Sequence, residues 1–126
     1  MAKGIYNNTY FVNHPDEASK DAVLYCVILV HKASMTRECI KIGIAKGRNW
    51  KDVIKRSGGF RGYEIRIQKV VHGPLQEIFN LEQELHLKWK HLRVSPTSKF
   101  GGHTECFQIN DEIIKSVPSS LPKNSS

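Results

Sequence analysis

Cysteine is scarce and scattered in this chain. Its three copies, Cys26, Cys39 and Cys106, include no CxxC pair, which removes the usual frameworks for a zinc cluster or a disulfide-stapled fold. An odd number of separated thiols fits a reducing compartment. Cys26 and Cys39, which a hairpin would bring near each other, read as two small buried side chains. Long apolar runs are also missing. No stretch approaches the length of a membrane span and the N-terminus carries no secretory apolar segment, so the expectation is a soluble, cytoplasmic chain without a membrane partner. Internal repeats are absent. Acids are few: 12 Asp and Glu stand against 19 Lys and Arg, giving a net charge of +7 and a pI near 9.5. An excess of that size on a small domain favours polyanions such as nucleic acid, although charge alone suits an anionic membrane surface equally.

With 126 residues, 40% of them hydrophobic, the chain can bury one core and has little room for a second. The expected organisation is a polar arm over 1–21, one domain over 22–117, and a Ser/Pro/Lys tail over 118–126 that composition predicts to be disordered.

What is present is organised around 23–44. The run VLYCVILV from Val23 is apolar throughout, as a strand covered on both faces reads. HKASMTREC then leads to IKIGI, where Ile40, Ile42 and Ile44 face one way and Lys41 and Gly43 the other. The connection is short enough for an antiparallel hairpin. Two of its residues do not look like core filling. Tyr25 carries a hydroxyl that needs a partner if buried, and Lys41 sits in a strand that otherwise favours β-branched residues.

Ala45 to Gly62 follows with Lys46, Arg48, Lys51, Lys55, Arg56 and Arg61 against the single acid Asp52. Asn49 is a plausible N-cap, and Trp50, Val53, Ile54 and Ser57 share one face of a short helix that Gly58-Gly59 ends. Arg56 lies at the margin of that face, where it suits either an i,i+4 pair with Asp52 or bidentate phosphate binding. Tyr63 to Val71 alternates as a third, half-exposed strand. Gly73-Pro74 breaks the chain, and a 3.6-residue stripe predicts the longest helix from Leu75 to about Leu92. Arg93 to His103 reads as a loop, Glu105 to Ile109 as a short strand, and Asn110 as the cap of a last short helix. The fold class is therefore α/β of the α+β kind, a small three-stranded antiparallel sheet flanked by helices.

The helical wheel singles out one carboxylate. Counted from Leu75, Glu82 and His86 each fall close to whole numbers of turns, inside the apolar arc of Ile78, Phe79, Leu85 and Trp89. Glu77 and Glu84 fall on the opposite, polar side. A carboxylate directed inward needs a cation or a hydrogen-bond network. A divalent metal, Arg56 and Lys41 all qualify. A zinc site built from Cys39, His103 and Cys106 lacks a close ligand pair and is set aside.

The order Val23-Leu24-Tyr25, Lys41-Ile42-Gly43, Arg56, Leu81-Glu82 with His86, and Glu105-Cys106-Phe107 resembles the GIY-YIG nuclease superfamily. It is most similar to the phage-type branch, where the second signature is commonly Lys-Ile-Gly and the last reads Glu-Trp-Phe. The likeness covers roughly Val23 to Ile109; the literal Gly4-Ile5-Tyr6 lies too far from Lys41 to be the first arm of the same hairpin. The resemblance implies a divalent-metal-dependent endonuclease acting on DNA phosphodiesters, in the host-cell cytoplasm if phage-encoded. It places Tyr25 at the attacking water, Lys41 beside it, Arg56 on the phosphate, and Glu82 on one Mg²⁺ or Mn²⁺, with His86 in the active site and Glu105 as a possible accessory. Lys46, Arg48, Lys51, Lys55, Arg61 and Lys99 would hold the nucleic-acid backbone, and a homodimer is one route to specificity. This chain departs from the pattern in four places. Lys41 replaces a second tyrosine, Arg48 competes with Arg56, Phe60 stands where many relatives have histidine, and Cys106 replaces tryptophan. A binding module on the same fold that has lost turnover is the alternative.

Overall fold

A computed structural model describes residues 8–47, 62–95 and 106–121. In chain order these form α1 (Asn8–Asn13), α2 (Pro15–Ala18), β1 (Asp21–His31), β2 (Thr36–Lys46), β3 (Tyr63–Pro74), α3 (Leu75–Lys88), a 3₁₀ turn (Lys90–Leu92), β4 (Cys106–Phe107) and α4 (Asp111–Ser116). The strands make one antiparallel sheet in the order β3-β1-β2-β4. The expected α+β class holds, with four strands in place of three. The fourth is short: β4 pairs only Ile40 with Phe107 and Lys41 with Cys106.

The central position of β1 accounts for its unbroken apolar run, because it has a strand on each side and a core on each face. Ala22, Leu24, Cys26, Ile28 and Val30 cluster with Ile40, Ile42, Val71 and the α3 residues Leu75, Ile78, Phe79 and Leu85. Val23, Tyr25, Val27 and Leu29 cluster instead with Cys39, Ala45, Tyr63 and Cys106. One alternating strand thus feeds two apolar layers. At about 25 cal/mol per Å² of apolar area, this two-sided burial is the main favourable contribution to stability.

Several element ends differ from the sequence reading. β2 begins at Thr36, because a register shift between Leu29 and Val30 skips over Glu38 and lets the polar residues Thr36 and Arg37 pair with β1. The bulged Glu38 accepts a hydrogen bond from the Tyr63 hydroxyl at 2.9 Å. β3 continues through Gly73 and Pro74, which pair with Ala22 and Asp21, and the φ of −65° and ψ of 144° at Pro74 turn the chain into α3. That helix stops at Lys88, short of Leu92, and tightens into the 3₁₀ turn. The Asn110 side chain accepts from the Glu112 N–H at 2.8 Å, an N-cap of the expected kind.

The ends of the domain carry more structure than composition suggests. Phe11 in α1 is buried and meets the Phe79 ring edge-on, with centroids 5.6 Å apart. α2 is tied to the sheet where Glu17 receives both Lys20 and Lys46 at 3.1 Å. After α4, Leu121 packs on the core against Gly73, where a Cβ would collide with it. Segments at both ends therefore pack on the same apolar layer that α3 covers.

Candidate active site

Tyr25 lies directly across from Gly43 in the β1–β2 register, and Lys41 is two residues along on the same face. This geometry sets up a close approach. A Cβ built at Gly43 would fall 2.5 Å from the Tyr25 hydroxyl oxygen, 2.7 Å from its Cζ and 3.0 Å from the Lys41 Nζ. The phenol and the ammonium therefore lean over the glycine backbone in the space a side chain would fill. The Lys41 Nζ is 5.7 Å from the centroid of the Tyr25 ring, close enough for attraction to the ring face. Lys41 is only 2% exposed and Tyr25 5%, so the amine is held beside the phenol and away from bulk water. Such placement is costly for a lysine unless it serves a purpose or is well compensated.

The second pair comes from α3. Glu82 and His86, one turn apart, are 4% and 3% exposed, in agreement with the inward direction the wheel assigns them. The His86 Nε2 donates to the Ile42 carbonyl at 2.9 Å; a carbonyl only accepts, so Nε2 is the protonated ring nitrogen. The same Nε2 is 4.0 Å from a Glu82 carboxylate oxygen, and the other carboxylate oxygen accepts from the Gln83 amide at 3.3 Å. The His86 ring packs against Phe107 with centroids 5.4 Å apart. Ile42 lies between Lys41 and Gly43, one residue past the last β4 pair. The two pairs thus flank the backbone of Lys41-Ile42-Gly43 from opposite faces of the sheet, Tyr25 and Lys41 over the face away from α3 and His86 reaching the Ile42 carbonyl from the α3 face.

The thiols fall in two places. Cys26 faces the α3 layer and Cys39 the opposite one, so the pair that a hairpin first suggests is separated by the sheet. Cys39 is instead hydrogen-bonded to Cys106. That bond, with help from the Lys41 charge, lowers the Cys39 thiol below its usual value, whereas burial pushes the Cys26 thiol up to about 12. All three cysteines are buried and none is in a disulfide. Native protein is expected to react with an alkylating reagent at less than about one-hundredth of the rate in denaturant, a protection of at least ~2.7 kcal/mol for the opening that exposes them. Thiol counting by mass against time in native buffer and in urea checks this. Rapid labelling of Cys39 in native buffer would show that the Cys39–Cys106 layer is open to solvent.

Of the other residues singled out by sequence, Lys46 is engaged by Glu17. Arg48, Lys51, Lys55, Arg56, Phe60, Arg61, Lys99, His103 and Glu105 lie outside the described residues. Among the described residues no group of three or more His, Cys, Asp or Glu side chains could hold a metal ion. Glu82 is the one Asp or Glu among them that is buried as a whole residue. A cleft of about 410 Å³ is lined among the described residues by Asp21, Ala22, Gly47, His72 and Gly73, and none of Tyr25, Lys41, Glu82 and His86 borders it. No described helix is long and apolar enough to cross a membrane. The Cys39–Cys106 contact and the spacing role of Gly43 escape sequence reasoning, because both depend on strand register. No family model, no curated protein and no solved structure matches this chain.

Proposed function

We propose that this chain is an endonuclease of the GIY-YIG kind that hydrolyses DNA phosphodiesters with a divalent metal. The observation that supports the reading best is the convergence of the Tyr25 hydroxyl and the Lys41 ammonium over Gly43. The sequence resemblance names those residues, and a core built only for stability has no need of a buried cation beside a phenol. The basic composition is consistent with a polyanionic substrate.

Hydrolysis of a phosphodiester needs a group that orients or deprotonates water and a counter-charge for the phosphoryl oxygens. Tyr25 supplies the first through its hydroxyl. Lys41, held beside the ring, stabilises negative charge on the phenolic oxygen as it develops. His86, its Nε2 proton committed to Ile42, is fixed in orientation and keeps Glu82 company on the same helix face. Mg²⁺ is commonly held by one or two carboxylates together with waters and substrate phosphate, so a single buried glutamate fits its donor set. Glu82 would hold Mg²⁺ or Mn²⁺, which when bound would supply Lewis-acid stabilisation of the phosphoryl oxygens.

The direct test is nicking of supercoiled plasmid and of a branched DNA by the purified protein with Mg²⁺ or Mn²⁺, beside a chelator control. Metal-dependent cleavage is expected. DNA binding without cleavage of either substrate would replace the nuclease with a binding module on the same fold.

Lys41→Met provides a second check, since it keeps the volume and removes the charge. Cleavage is expected to fall by about 10² to 10⁴, the range of a general acid–base contribution, while the far-UV spectrum is retained. Unchanged cleavage in a folded Lys41→Met protein would leave the lysine without a chemical role.

A further inference from the structure

Exposed cations among the described residues divide into two kinds. Lys20 and Lys46 sit 3.1 Å from Glu17, Arg66 sits 3.0 Å from Glu64, and Lys115 sits 3.6 Å from Glu112. Lys88, Lys90 and Arg93 are exposed or half-exposed as well, yet no described carboxylate forms a salt bridge with any of them. They fall within a stretch free of acids, since no Asp or Glu occurs between Glu84 and Glu105. Lys32 and Arg37, near the β1–β2 turn, are two further exposed cations of this uncompensated kind.

The turn that carries the first three is held firmly. Leu92 accepts from the Gln108 N–H at 2.8 Å, the Val94 N–H donates to Cys106 at 3.0 Å, and Arg93 forms a bridge with Phe107. Arg93 and Val94 thereby extend the outer edge of the sheet beyond β4. Trp89 is anchored on the other side, its indole N–H donating to Ser116 at 2.9 Å. The Lys88 ammonium lies 5.5 Å from the Trp89 ring, and the His91 ring is 6.0 Å from the same indole. The result is a hydrogen-bonded basic turn beside the Trp89 indole, directly following the helix that carries Glu82. Six positions separate Glu82 from Lys88, about 9 Å along the helix axis and about 120° around it, so that Glu82 faces the core and Lys88 the solvent. The axial component alone is less than three base-pair steps at roughly 3.4 Å each.

We propose that Lys88, Lys90 and Arg93 are a phosphate-binding site for duplex DNA, gripping the backbone a few steps from the bond placed near Glu82 and leading the duplex along the β4 edge of the sheet. The proposal rests on the nuclease reading and adds the path of the substrate to it. Lysine in the last turn of a helix also complements the helix dipole, but Lys90 and Arg93 lie past that turn, so the dipole does not account for them. Phosphate contacts position DNA without reading its sequence. The turn therefore contributes affinity common to all duplexes.

The test is binding of a duplex of about 20 base pairs, in chelator, across a salt series. It compares the unaltered chain, the Lys88→Ala/Lys90→Ala/Arg93→Ala protein, and a Lys20→Ala/Lys115→Ala control whose charges are paired to carboxylates. Loss of three phosphate contacts predicts affinity reduced at least about tenfold and a log–log salt slope shallower by about 2 to 3, with the control unchanged. A Lys90→Gln/Arg93→Gln protein, altered outside the helix, gives the same readout at a slope change of about 2 if the triple variant does not fold. Full affinity and slope in folded variants would overturn the proposal and leave the nuclease reading standing. Failure of the unaltered chain to bind or cut any DNA would remove that reading and this one together, and preference for anionic vesicles over duplex would overturn the assignment to DNA.

Discussion

Glu82→Gln should abolish cleavage while leaving the protein folded and able to bind DNA. Glutamine keeps the shape of the side chain and removes its charge, and the site is 4% exposed, so no solvent replaces the lost carboxylate. If Glu82 holds the metal, the rate should drop by at least about 10³, or ~4 kcal/mol of transition-state stabilisation. Affinity for DNA in chelator should stay within about threefold, because backbone cations supply it. The competing account is a structural pair with His86, whose Nε2 is 4.0 Å from the carboxylate. Under that account, removing one partner of a buried pair costs about 3–5 kcal/mol, and cleavage would be lost only in proportion to unfolding. Denaturant midpoints and single-turnover rates measured on the same preparations separate the two. A folded Glu82→Gln protein of normal stability that still cuts would dismiss both the metal role and the site.

Much of this arrangement is legible from period and composition. The unbroken run from Val23 announces a strand with a core on each face, which β1 has. The helical wheel directs Glu82 and His86 inward, where both are buried. Asn110 announces its own cap. The unread features depend on which distant residues meet. The polar Thr36, Arg37 and Glu38 look like loop because the bulge at Glu38 breaks the alternation that marks a strand. β4 has two residues, too few for any period, so neither its pairing with Lys41 nor the Cys39–Cys106 contact could be read from the chain. Phe11 shares a segment without sustained period with Tyr6 and Tyr10, and nothing local says that it is the ring that docks on Phe79. The end of α3 at Lys88 escapes for another reason, since the apolar stripe runs on through Trp89 and Leu92 in the 3₁₀ turn.

Gly43→Ala should cost more in activity than in stability, and the difference measures how tightly the site is built. Added Cβ atoms are accepted where neighbours can retreat, but here the neighbour is a ring that is 5% exposed and packed in the same layer as Val23, Val27 and Leu29. The nearest atoms, at 2.5 and 2.7 Å, belong to that ring and its hydroxyl. Relief requires either the strands to part or the phenol to tilt. Overpacking of this kind costs about 1–3 kcal/mol, which a domain of ordinary stability survives. Chemistry is less forgiving, since a displacement of about 1 Å in a positioned group can cost about 10²-fold. The expected result is a folded protein with a lowered denaturant midpoint and cleavage reduced about a hundredfold. Tyr25→Phe removes the closest atom of the clash, so Gly43→Ala should destabilise less in that background, with a coupling of at least about 0.5 kcal/mol. Cleavage should not return, because the hydroxyl is gone. Additive stability effects, with cleavage unaltered by Gly43→Ala alone, would mean that the phenol is free to move and that the glycine is not there to admit it.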